Sequence, residues 1–259
     1  MAITPDDFAR FDIKKVVHWS DSGRDGAPLL TMPNIPHPLH GMAPRTILGN
    51  TTWTHMRKRC YFQADYKCQA CGADLGTGKC HAHEVYDINY PAGESKFKRT
   101  VCLCPRCHVR GIHSGRMLTM FKKGDPLMSK EKLLDGVENL FRIIYEWNQA
   151  HPKEEPLRAY GTFIDYIKWP PISKEMLALV KKYDMKFYIE DYDLSARWDK
   201  WHLIIGDKSY HTKYKDADDW AKQMDEQNAK IIKERPQIFT GGIFDEIDKI
   251  IAESKQNNN

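Results

Sequence analysis

All seven cysteines of this 259-residue chain fall between Cys60 and Cys107. Four of them form two CxxC pairs, Cys68-Gln69-Ala70-Cys71 and Cys104-Pro105-Arg106-Cys107, separated by 32 residues. Each pair sets two thiols on one tight turn, and four thiolates complete a tetrahedral Zn2+ site that lets a short segment fold without a large core. An odd, clustered count argues for metal binding in a reducing compartment rather than for a disulfide framework. Cys102 makes a competing Cys-x-Cys with Cys104, so one ligand position has two candidates. Cys60 and Cys80 read as core or bystander thiols.

Charge singles out the same region. The formal net charge is +4, but residues 55 to 125 carry 13 Lys and Arg against 6 Asp and Glu, whereas residues 188 to 259 carry 11 against 15. A basic segment within a neutral or acidic chain is the footprint of a polyanionic partner. No apolar run approaches the ~20 residues that span a bilayer, and the start MAITPDDFARFDIKK mixes acids and bases without a secretory pattern. The expectation is a cytoplasmic protein that makes no use of a membrane.

Along the chain, residues 1–50 read as an extended Pro/Gly-rich arm whose Leu29, Leu30, Met32, Ile35, Leu39 and Ile47 pack on the neighbouring core. Thr51 or Thr52 can cap a helix carrying Trp53, Met56, Cys60, Tyr61 and Ala64 at helical spacing, with Arg57, Lys58 and Arg59 on its outer face. Residues 51–125 form the cysteine-bearing core. The clearest amphipathic helix spans 130–147, with Leu133, Leu134, Val137, Leu140, Phe141, Ile144 and Trp147 on one stripe; it occupies the stretch 126–155 together with a turn-rich linker. Residues 156–259 read as a small α+β part of unassigned role. It holds a helix over 173–183, the strand MKFYIE, a hairpin around Gly206-Asp207, a helix from Asp216 to about Lys233 and a last helix at Ile243–Ile251. Its acidic surface and aromatic-rich hairpin (Trp198, Trp201, Tyr210, Tyr214) are a candidate surface for a protein partner. The fold class is α+β.

Four of the eleven histidines lie within residues 81–113, as His81-Ala82-His83-Glu84 and His108-Val109-Arg110-Gly111-Ile112-His113. On a strand His81 and His83 share one face while Glu84 points the other way. On a helix His108 and His113 are five apart, one more than the spacing that aligns two ligands, and a local loosening at Gly111 would correct the register. A cysteine site beside a histidine-rich one suggests one structural and one working metal.

CxxC, then HxHE on a strand, then LCPRCH followed by IHSGR, resembles the zinc-knuckle type of the HNH endonuclease family. The stretches PNIPHPLHGMAPRTILG and HEVYDINY resemble an uncharacterised phage and bacterial branch of it. The likeness covers roughly residues 30 to 117. It implies a ββα-metal core that holds a catalytic divalent ion, Mg2+, Mn2+ or another, between a hairpin and a helix, with DNA as partner. It also implies that Cys68, Cys71, Cys104 and Cys107 hold structural Zn2+, and that His83, His108 and His113 hold the catalytic ion. Glu84 stands where most members have the general-base His; the base is therefore Glu84, His83 or His81. The family's middle Asn has no clean counterpart. Lys96, Lys98, Arg99, Arg106, Arg110 and Arg116 are the candidate phosphate contacts, with Arg116 foremost. The implied activity is metal-dependent hydrolysis of DNA phosphodiester bonds; the alternative is a catalytically inactive module on the same scaffold that binds nucleic acid or a protein.

Overall fold

A computed structural model describes residues 11–12, 18–124, 128–160, 162–188 and 196–234, and the helix expected at Ile243–Ile251 lies outside them. The architecture is α+β. Its centre is a long antiparallel hairpin of β3 (His81–Asn89) and β4 (Glu94–Leu103), in register from His81↔Leu103 to Asn89↔Glu94 with a bulge between Val85 and Tyr86. Gly93 closes the turn at φ 71°, where a Cβ would come within 2.9 Å of Ala196, so only glycine fits there. β2 (His18–Trp19) pairs with β3, and β7 (His202–Ile205) runs parallel to β4 and carries β8 (Lys208–His211), which gives one sheet of order β2-β3-β4-β7-β8. The hairpin expected around Gly206-Asp207 thus extends the central sheet. A second, three-stranded sheet joins β1 (Phe11–Asp12), β6 (Phe187–Tyr188) and β5 (Ala159–Tyr160), all parallel.

The arm is pinned rather than free: Leu29, Leu30 and Leu39 are buried, while Ile35 is 40% exposed. Thr212 and Tyr214, just past β8, donate hydroxyl hydrogen bonds to the carbonyls of Pro38 (2.5 Å) and His40 (3.1 Å). His37 stacks on Trp220 of α6 (Ala217–Glu234) at 4.4 Å. The first long helix, α1 (Pro44–Gln63), begins earlier than the threonines suggest, because Pro44 opens it and a break at Gly49 (φ 80°) splits it into two segments.

After β4 the chain turns into a π-helix (Arg106–Ile112), then α2 (Ser114–Lys122) and α3 (Lys130–Ala150). Ser129 caps α3 by accepting from the Lys132 amide at 3.2 Å. Its buried stripe of Leu133, Val137, Leu140, Phe141 and Ile144 packs on the π-helix and on α5 (Pro170–Lys182), while Trp147 is half-buried. A short helix, α4 (Thr162–Ile167), precedes α5. Among the described residues no helix is long and apolar enough to cross a membrane.

The π-helix meets α3 at Gly136, where a Cβ would lie 2.5 Å from Arg110 Cβ and 2.7 Å from the Arg110 carbonyl oxygen. Backbone cannot yield as a flexible side chain does. Gly136→Ala is expected to destabilise the chain by about 2–3 kcal/mol, the usual cost of overpacking and far more than the gain in helix propensity. Denaturant melts of the two proteins check this; an unchanged midpoint would show that the helices do not abut there.

Candidate metal centre and flanking clefts

The two knuckles converge. The Sγ atoms of Cys68, Cys71, Cys104 and Cys107 all lie within 4.8 Å of one another, and Cys71 and Cys104 are 3.9 Å apart. A tetrahedron with Zn–S bonds of ~2.3 Å has edges of about 3.8 Å, so this spacing suits zinc. Gly72 (φ 76°) returns its amide to the Cys68 carbonyl at 2.7 Å, and the Cys107 amide donates to Cys104 Sγ at 3.3 Å. Gln69 stitches the first knuckle to β4, its amide donating to the Cys102 carbonyl and its side-chain oxygen accepting from the Cys102 amide, each at 2.8 Å. Cys102 therefore supports the site through its backbone, and Cys104 takes the contested position. Hydrogen bonds from the other thiols, Cys104 foremost, hold the Cys68 thiol far below its ordinary range, whereas the bond with Cys104 pushes Cys107 up. Four thiolates cannot share this space without a cation, and the group could hold a metal such as zinc.

The π-helix settles the register of the histidines. The His113 amide donates to the His108 carbonyl at 3.1 Å, an i to i+5 bond that stacks residues five apart on one side. His83 from β3 meets both: the ligating nitrogens of His83, His108 and His113 lie within 4.8 Å of one another, with ring centroids 4.7 to 5.4 Å apart. Loss of hydration around the ring nitrogens lowers all three pKa values, His83 to about 3 and His113 to about 4, with the nearby charge of Arg116 also pressing on His113, whose outer edge is exposed. All three imidazoles are therefore neutral at pH 7 and offer lone pairs. His83 Nδ1 is buried without a hydrogen-bond partner, which costs free energy unless something electrophilic meets it. These residues fit a divalent cation.

His81 joins the cluster from the side, its Nδ1 3.1 Å from His108 Nδ1. A proton on His108 Nδ1 given to His81 leaves His108 Nε2 with its lone pair, the tautomer a cation selects. Glu84 keeps the alternation read from the sequence, standing opposite Thr100 as His83 stands opposite Val101. It borders, with His83 and His113, a cleft of about 630 Å3, and, with His81, His108 and His113, a second of about 390 Å3. The bulge beginning at the next residue raises the local twist of the strand. Burial raises the pKa of Glu84 and the charge of Arg45 opposes that rise, so it is a stronger base than an open carboxylate.

The basic residues divide. Arg106 and Arg110 share the carboxylate of Asp135 on α3, at 2.5 and 3.3 Å, and Arg110 is buried. Their charge holds the π-helix to α3. Arg99 is paired with Asp25 at 2.7 Å. Lys96 and Lys98 are exposed on β4, and Arg116 is exposed next to His113. Sequence reasoning missed Arg45, and it read Arg57 only as helix surface; both line the second cleft beside His81, Glu84 and His108. Arg45 belongs to the stretch PNIPHPLHGMAPRTILG, which was the available signal.

No family model matches the chain, nor does any solved structure. One curated relative resembles part of it. The Zorya protein ZorE of Escherichia coli is 27% identical over 109 residues, which cover 40% of this chain and 27% of that protein. The matched stretch is a minor part of both.

Proposed function

We propose that the chain is a metal-dependent HNH-type endonuclease that hydrolyses DNA phosphodiester bonds, with Cys68, Cys71, Cys104 and Cys107 holding structural Zn2+. The observation that carries this reading is the convergence of His83, His108 and His113, with Glu84, between two clefts at the junction of the β3–β4 hairpin and the π-helix. A divalent cation such as Mg2+ or Mn2+ held by the three histidines would polarise the scissile phosphate and offset charge on the leaving oxygen. Glu84 takes a proton from the attacking water as its oxygen bonds phosphorus and the bond to the 3′ oxygen breaks. His81 keeps His108 in its ligating tautomer. Arg45, Arg57 and Arg116 hold the phosphate backbone, which contributes affinity without sequence choice.

Supercoiled plasmid incubated with Mg2+, Mn2+, Ni2+ or Zn2+ tests this. Nicked or linear DNA should appear with at least one ion, and Glu84→Gln should slow it by about 10^2- to 10^4-fold, the range for loss of a general base. Absence of cleavage with every ion while DNA is still bound would sink the enzyme reading in favour of a non-catalytic DNA-binding module.

A further inference from the structure

A third concavity, of about 410 Å3, adjoins the basic cleft at Arg57, Tyr61 and Cys80, so that one groove runs along α1 to the histidines. Trp53, Arg57 and Tyr61 are four residues apart on α1 and share one face of it, a span of about 12 Å at 1.5 Å per residue. Tyr61 lines the cleft together with His81 and Ala82, which sets its ring beside the edge of β3. Tyr66 extends the line from a left-handed turn (φ 53°), held by its amide on the Tyr61 carbonyl and by the Leu75 amide on its own carbonyl, both at 3.0 Å. Lys58 lines the far end. All three rings are half-buried, so each keeps part of its surface open to the groove.

We infer that this groove binds a single strand of DNA and leads its backbone to the histidine cluster. The inference rests on the nuclease reading for its direction but on the groove alone for its ligand. Its positive charge is available: no carboxylate among the described residues pairs with Arg57 or Lys58, whereas Arg99 is paired with Asp25 and Arg106 and Arg110 share Asp135. Charge by itself would suit a duplex equally. The alternation of aromatic rings with cations does not, because a duplex hides its base faces, while unpaired bases stack on aromatic rings whatever their sequence. A recessed track with Trp53, Tyr61 and Tyr66 along it offers stacking surface that only an unpaired strand can use.

The test is fluorescence anisotropy on the full zinc-loaded chain without added Mg2+ or Mn2+, so that binding is read apart from cutting. The probes are a labelled mixed-sequence 20-mer, its duplex, and the same sequence as single-stranded RNA. The single DNA strand should bind at least tenfold more tightly than the duplex. Tyr66→Ala should weaken single-strand binding about tenfold and leave the duplex unchanged, and Tyr66→Phe, which keeps the ring, should restore it. Arg57→Gln should weaken both and lower the salt slope by about one. Equal affinity for duplex, or Tyr66→Ala binding the single strand as the parent does, overturns the inference; tighter binding of RNA overturns the assignment to DNA. Tight single-strand binding with no cleavage of either the plasmid or the single strand under any ion would leave the groove standing and remove the nuclease.

Discussion

Cys107→Ser is expected to abolish stoichiometric zinc and to collapse much more than one turn. Cys107 is fully buried, sits where β4 hands over to the π-helix, donates its amide to Cys104 Sγ and lies 4.0 Å from Asn139 Nδ2 on α3. Its thiolate therefore joins the knuckles, the sheet and the helix layer at one point. Structural zinc sites contribute folding free energy directly, on the order of 10 kcal/mol in small zinc peptides, and no packing replaces it here, because the knuckle loop from Cys71 to Gly78 is exposed save for Leu75. If even 4 kcal/mol of that reaches global stability, the midpoint falls by about 8–16 °C for a domain of this size. Metal analysis, a thermal melt and limited proteolysis around residues 72–79 measure the three consequences. Cys102→Ser is the discriminating control: it should cost some core packing yet keep one zinc per chain, since Cys102 supports the site only through its backbone. Zinc lost from Cys102→Ser and retained by Cys107→Ser would reverse the assignment.

What the sequence made legible is what local spacing encodes. A CxxC turn places its two thiols whatever surrounds it, and the stripes of α3 and α5 follow from periodicity alone. The five-residue gap between His108 and His113 signalled a loosened helix, and the π-helix supplies it. Pairings set by distant segments were not legible. Asp135 lies 29 and 25 residues from Arg106 and Arg110, and Asp25 lies 74 from Arg99, so counting basic residues overstated the charge left for a polyanion. The parallel registration of β7 with β4 spans more than a hundred residues, and two-residue strands such as β5 are too short to show alternation. Glu84 shows the same limit within the site, because strand parity turns it away from His83 while the two clefts that border the histidines both reach it. The arm's apolar residues predict packing on the core, but nothing in its composition shows that it walls the larger cleft through Met32, Ile35 and Met42.

His108→Ala should separate the two metal sites most sharply. His108 is the hub of the histidine cluster, with its ring against those of His81, His83 and His113. Its backbone amide, by contrast, serves the knuckle by donating to the Cys104 carbonyl at 2.9 Å, and alanine keeps that bond. If the three histidines hold the working ion as proposed, truncation removes one of three ligands and with it the partner of His81, so the remaining pair should bind a divalent ion at least tenfold to a hundredfold more weakly and misplace the ion that stays bound. Cleavage should fall by at least 10^3-fold, the combined effect of weaker loading and lost charge stabilisation, while zinc stays at one per chain and the melting midpoint moves by only a few degrees. Raising Mn2+ a hundredfold should recover the loading part of the loss and leave the rest. Cleavage within tenfold of the parent would show that the histidines do not hold the working ion; a loss of cleavage accompanied by loss of zinc would show that His108 acts through the fold.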